Sequence, residues 1–186
     1  MPQSESNDYI IQHTKNWLHS FIIELTICPF AKREVERGSL RIEVSAVKKI
    51  KEALENLITE IQRLDNEPQI ETTLLIFPSL CSDFFDYLDF VDLAEVQMSD
   101  CGYEGIYQLA TFHPDYCFEE SDFDDPANYT NRSPYPMLHL LREDSVEKAI
   151  AFYGDTEKIP EANIKTMHQL GLEKIQKILT SCIPKD

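Results

Sequence analysis

The chain has 186 residues, 42% of them hydrophobic, which is enough for a core and argues against global disorder. Its formal net charge of −16 is local: residues 64–131 carry 16 Asp and Glu and no Lys or Arg, while the rest holds 17 acids against all 17 bases. Nucleic acid and anionic membrane surfaces need clustered cations to displace counterions, so neither is expected as a partner, and no apolar run approaches the roughly 18 residues of a membrane span.

In chain order, residues 8–27 set Ile11, Leu18, Phe21, Ile22 and Leu25 at helical spacing, with Trp17 beside them. Pro29 interrupts, and the Pro29-first, Gly38-last pattern predicts a short helix between them. Residues 41–45 alternate like a strand. Residues 47–64 place Val47, Ile50, Leu54, Leu57, Ile58 and Ile61 on one helical face. Residues 72–77 are β-branched and apolar on both faces, the pattern of a buried strand, and Pro78 ends it. Ser82 is expected to cap a helix reaching about residue 98, with Asp83 and Asp86 near its positive end and Phe84, Leu88 and Val91 as its buried stripe. Residues 105–113 and 137–142 predict two more strands. A helix from Ser145 follows, and then two helices over 156–182 broken at Gly171.

Strands and helices alternating through short connections predict an α/β fold, with α+β as the alternative: a mixed sheet of about four strands flanked by helices. Residues 1–186 are expected to form a single globular domain, in which 1–7 are a candidate disordered start and 156–186 a C-terminal helical extension. A long ordered loop joins the last two strands.

That loop, residues 114–136, has 23 residues and no clear period. Structureless connections beyond about 12–15 residues are uncommon and often functional. Its tyrosines and phenylalanines are groups that pack, and prolines at 114, 126, 134 and 136 lower the entropy of one fixed path. Within 64–141 Arg132 is the lone Lys or Arg. It reads either as a bidentate clamp for a carboxylate or phosphate, or as a structural partner of Asp122, Asp124 or Asp125. Asn131 and Tyr135 would form a hydrogen-bonding wall, and Arg142 a second clamp. His113 ends a strand, where ligand sites in α/β sheets gather, and is the acid/base candidate; His139 shares a face with Met137 and Leu141 and reads as a core histidine. The run Glu119, Glu120, Asp122, Asp124, Asp125 lacks the spacing of a calcium loop and reads as a solvated surface, so no metal site is expected.

Cys28-Pro29-Phe30-Ala31 is the other constellation. If Pro29 opens a helix, Cys28 stands at its positive end, where a thiolate is stabilised; if Cys28 ends the first helix, it is a small buried hydrophobe. The turn locally resembles the active-site turn of glutaredoxins and some glutathione transferases, without a resolving cysteine. Five cysteines in an odd set without CxxC spacing fit reduced thiols, and the opening MPQSESNDY has no basic-then-apolar leader, so a cytoplasmic location is expected. No GxGxxG, P-loop, GxSxG or HExxH is present, so the sequence implies no particular cofactor.

Ile27-Cys-Pro-Phe-Ala31, Glu71-Thr-Thr-Leu-Leu75, Phe112-His-Pro-Asp-Tyr116, Asn128-Tyr-Thr-Asn-Arg-Ser-Pro-Tyr-Pro136 and Leu138-His-Leu-Leu-Arg-Glu143 together resemble the bacterial domain-of-unknown-function family 1415, over roughly 17–164. The resemblance implies a bacterial cytoplasmic protein and carries no catalytic residues. The residues themselves lead to an enzyme or small-molecule-binding protein acting on an anionic metabolite, at a site between the 114–136 loop and adjacent strand ends. His113 and Cys28 would do its chemistry, and Asn131, Arg132, Tyr135 and Arg142 would hold the ligand. The competing class is a non-catalytic acidic protein that binds a basic partner.

Overall fold

The computed structural model describes residues 7–154 and 156–184. The expectation for residues 1–7 therefore lies outside the described residues, apart from Asn7, which opens the first helix. Among the described residues, β1 (Leu40–Val44), β2 (Thr72–Ile76), β3 (Tyr107–Phe112) and β4 (Met137–Arg142) form one sheet in the order β1-β2-β4-β3. β1 and β2 are parallel, and β4 runs antiparallel between β2 and β3. The fold is a mixed α/β sheet flanked by helices, as its alternating elements predict. All five residues of β2 are buried, because a central strand covered on both faces has no side that can be polar.

Helices α3 (Ile50–Asn66) and α4 (Phe84–Asp100) cover one face. Ala53, Leu57, Ile61 and Leu64 from α3 and Tyr87, Phe90 and Ala94 from α4 pack on Leu75, Leu138 and Leu140. Each fully buried Leu, Ile or Phe stabilises by about 1.5–3 kcal/mol relative to exposure. The Tyr87 hydroxyl donates to the Met137 carbonyl at 2.7 Å and accepts from the Phe112 amide at 3.1 Å, so α4 is tied to two strand ends.

Two details of α4 differ from the sequence expectation. The cap is Asp83, not Ser82: an Asp83 carboxylate oxygen accepts from the amides of Phe85 (2.8 Å) and Asp86 (3.3 Å), and its extended backbone sets that geometry. The buried stripe is Tyr87, Phe90, Val91, Ala94 and Met98, with Leu88 left 38% exposed. Apolar residues fall on every side of α4 among its acids, with Phe85, Leu88, Leu93 and Val96 exposed, so its periodicity permits several stripes. The one used buries aromatic rings and lets the Tyr87 hydroxyl reach the strand ends.

The other face carries α1 (Asn7–Trp17), a π-helical turn (Leu18–Ile23), α2 (Ala31–Arg37), α5 (Glu143–Tyr153), α6 (Ile159–Leu170) and α7 (Leu172–Cys182). Trp17, Phe21, Met137, Met167 and Ile175 lie in its core. The C-terminal helices thus complete this layer by burying Met167, Ile175 and Cys182. After the π turn the chain reverses through Thr26, whose φ of 57° puts a β-branched residue in the left-handed region. Such backbone persists only when its surroundings over-determine it. Here it delivers Ile27 and Cys28 to the sheet-facing side.

Candidate functional site

The 114–136 loop is built around two buried polar side chains. Asn128 is fully buried; its Oδ1 accepts from the Phe118 amide (3.0 Å), and its Nδ2 donates to the carbonyls of Asp122 (2.8 Å) and Phe123 (3.2 Å). Arg132 donates from Nε to the Tyr116 carbonyl (3.0 Å) and from one terminal nitrogen to the Phe123 carbonyl (2.8 Å). Its guanidinium also lies over the rings of Phe123 (4.5 Å) and Tyr129 (4.3 Å). Among the described residues no carboxylate lies within 4.0 Å of it, so neither Asp122, Asp124 nor Asp125 is its partner. The loop has no regular ladder, and these side chains satisfy its buried backbone instead. Trp17 ties it down from α1, donating from Nε1 to the Arg132 carbonyl at 3.1 Å. Asp125 caps the turn Pro126–Thr130 through the Ala127 amide.

His113 is fully buried beside the Phe84 and Tyr87 rings. Its Nδ1 accepts from the Asp115 amide and its Nε2 faces the Cys81 carbonyl, both at 3.0 Å, which fixes the Nε2–H tautomer. Burial pushes its pKa down. Both ring nitrogens are spent on backbone, so the ring pins the loop to the segment entering α4 and presents no free atom to a substrate. Tyr135 faces α1, with its hydroxyl 2.7 Å from His13 Nδ1.

A cavity of about 650 Å³ opens on the other side of the sheet. Its floor is β2, β4 and β3, where Leu74, His139 and Ala110 stand in register across the strands. Trp17, Leu18 and Ile22 supply one wall, and Ile27, Cys28 and Phe30 another. The roof is α5, through Val146, Ala149 and Ile150, with Asn163 and Ile164 of α6. Of the six residues anticipated from sequence, Cys28, Asn131 and Arg142 reach this cavity; His113, Arg132 and Tyr135 do not.

The cavity's polar groups are few. Asn131 donates to the Thr111 carbonyl (3.1 Å) and accepts from Thr130 (3.1 Å). Arg142 donates to the Tyr107 hydroxyl (3.0 Å) and to the carbonyls of Leu64 (2.5 Å) and Ile70 (3.0 Å), so its donors point into the protein. Burial pushes the Cys28 thiol up, against the backbone amides of Phe30 and Ala31 that favour its thiolate. α2 opens at Ala31 with Phe30 as its cap, not at Pro29, so Cys28 precedes the helix, and desolvation outweighs the amides of Phe30 and Ala31.

His139 is the histidine that sequence reasoning assigned to the core. It does hydrogen-bond, with Nε2 2.7 Å from Thr72 Oγ1. The Thr72 hydroxyl proton goes to the Leu140 carbonyl at 2.5 Å, so Nε2 carries the ring hydrogen and Nδ1 is an acceptor without a partner among the described residues. Yet the ring lines the cavity, and its part-exposed surface faces that enclosed space rather than bulk water. Desolvation holds its pKa down to about 4, so at neutral pH it is an uncharged acceptor.

A mixed α/β protein with an apolar cavity on one sheet face is the class that these features define. The chain belongs to the family described as protein of unknown function (DUF1415), whose model matches residues 9–177. That match agrees with the resemblance carried by 27–31, 112–116 and 128–136. Neither a curated protein nor a solved structure matches the chain. Among the described residues no helix is long and apolar enough to cross a membrane.

Proposed function

We propose that this protein binds a small, largely apolar molecule in the sheet-face cavity. The observation that carries the reading is α5. Val146, Ala149 and Ile150 recur at helical spacing and line the cavity, yet α5 buries no residue. Its apolar stripe therefore faces unfilled space. Protein interiors are close-packed with few voids larger than water, whereas ligand sites are mostly apolar cavities of about 300–1,000 Å³ with a few placed polar groups. The anionic metabolite anticipated from the loop arginine has less support, because Arg132 and Arg142 spend donors on carbonyls that an anion would have to displace.

Five unpaired cysteines support a reducing, cytoplasmic setting, in keeping with the bacterial family the sequence resembles. The long cation-free segment supports a role without nucleic acid. The acidic-partner reading draws on α4, where Phe85 (75% exposed) and Val96 (58%) stand among Asp83, Asp86, Asp89, Asp92 and Glu95. A basic partner there would bind with steep salt dependence.

Trp17 is the single tryptophan and lines the cavity, so its emission reports occupancy directly. Titration with octan-1-ol should shift that emission. At a hundred times Kd the ligand should add about 2.7 kcal/mol, roughly 5–11 °C in Tm for a chain of this size. Ala110→Phe, which fills the floor beside His139, should abolish both responses and keep the native far-UV spectrum. A wild type that responds to no apolar ligand would sink the reading.

A further inference from the structure

We infer that the outward face of α4 docks a cationic amphipathic helix of a protein partner. This rests on the acidic-partner reading, is independent of the cavity, and adds where the partner sits and what shape it has.

Phe85 (75% exposed), Leu88 (38%), Leu93 (48%) and Val96 (58%) lie along one side of α4, with Asp89 and Asp92 between them. That side is opposite the Tyr87, Phe90 and Ala94 stripe that packs on the sheet. From Phe85 to Val96 it extends about 16 Å, or roughly three helical turns. Asp86, Asp89, Asp92 and Glu95 follow one another at intervals of three, so like charges are neighbours on the helix and repel. None of these four has an ion pair among the described residues. The neighbouring α3 is built differently: there Glu52 pairs with Lys49, Glu55 with Lys51 and Glu67 with Arg63. Aspartate is also a poor helix former beyond the first turn. α4 thus keeps apolar area and unpaired charge exposed against its own local preferences, as surfaces that meet something outside the chain do.

Charge decides the occupant. A second copy would bring the same acids to a two-fold contact, and nucleic acid or an anionic bilayer would be repelled. A partner bearing Lys and Arg relieves the repulsion among the acids, while its apolar side chains cover Phe85, Leu88, Leu93 and Val96. The ridged side of a helix packs against another helix, and α4 has no open strand edge to offer an extended peptide. A helix of about three turns, apolar on one side and flanked by cations, matches this face in length and sign.

The probe is a fluorescein-labelled amphipathic Leu/Lys peptide of about 14 residues, titrated with the full chain and read by fluorescence anisotropy. Wild type should bind it at least about tenfold more tightly than a scrambled peptide of the same composition with no apolar side. Phe85→Ser/Val96→Ser and Asp89→Lys/Asp92→Lys should each weaken it about tenfold, and both should keep the wild-type far-UV spectrum and octan-1-ol response. Glu36→Lys/Glu173→Lys changes net charge as much as the aspartate pair, on the opposite face of the sheet, and should leave affinity within about twofold of wild type. Equal binding of the scrambled peptide, or equal weakening by Glu36→Lys/Glu173→Lys, would overturn the helix-docking face while a basic partner stands. So would undiminished binding by the α4 variants. No binding of either peptide would overturn both. A concentration-dependent dimer that Phe85→Ser/Val96→Ser abolishes in sedimentation would assign the face to a second copy instead.

Discussion

Replacing Arg132 with Met separates its two possible roles. The substitution removes two charge-assisted hydrogen bonds, at 3.0 and 2.8 Å, and a cation held 4.3–4.5 Å from two ring centroids. Arg132 is only 5% exposed, so water cannot readily replace it at the carbonyls of Tyr116 and Phe123. The Tyr116 carbonyl left without a donor costs about 1–3 kcal/mol, the Phe123 carbonyl keeps the Asn128 donor at 3.2 Å, and each lost cation–π contact costs about 0.5–2 kcal/mol. These terms overlap, and the apolar Met stem recovers part of the packing. A net loss of about 3 kcal/mol is expected, or roughly 6–12 °C in Tm for a chain of this length. Arg132→Lys should recover little of it, since one ammonium cannot span two carbonyls and two rings as a planar fork does. The assay is thermal and urea unfolding of the three proteins, read by circular dichroism. A Tm for Arg132→Met within about 2 °C of wild type would refute the scaffold argument and return Arg132 to the role of a ligand clamp.

Burial holds His139 at about 4, against about 6.5 in an unfolded chain. Between those values the unfolded chain binds a proton that the folded one does not. His139 therefore contributes stability that is present above about pH 6.5 and lost as pH falls towards about 4, by at most about 3 kcal/mol. His113, shifted in the same direction, adds to the loss. Urea midpoints at pH 7 and 4.5 should converge for His139→Gln relative to wild type; parallel losses in the two proteins would contradict the assignment. At α4, Asp83→Ala should cost about 1 kcal/mol and Ser82→Ala much less, and equal effects in urea melts would disprove the cap. Alkylation of Cys28 should show a pH midpoint above the free-thiol value of about 8.5, and a midpoint near neutrality would revive thiol chemistry at that turn.

Periodicity and punctuation made the elements of this fold legible. β2 is apolar on both faces because it is central, and α2 runs between its proline and its glycine as that pattern predicts. The order of strands was not legible, since pairing β4 between β2 and β3 is a tertiary choice that no local pattern records. The 114–136 loop was recognisable as ordered and Arg132 as unusual. Its true partners were hidden, because carbonyls carry no signature in a sequence whereas the neighbouring aspartates do. The cavity was harder still. Its floor owes its depth to Ala110 beside His139, a pairing seen only in the register of β3 and β4. One signal was available: the stripe Val146, Ala149, Ile150 marks a helix with something to cover.

The two halves of that cavity differ in what substitution costs them. His139 and Leu74 sit on strands paired on both sides, and the floor shares its sheet with the opposite core, so a change there is felt through the whole structure. The roof helix buries none of its own residues, so exchanges along Val146, Ala149 and Ile150 put little folding free energy at risk. Under the proposed cavity-binding function, the shape of the enclosed space can therefore change through α5 while the floor stays as it is. Any such change would run through the roof.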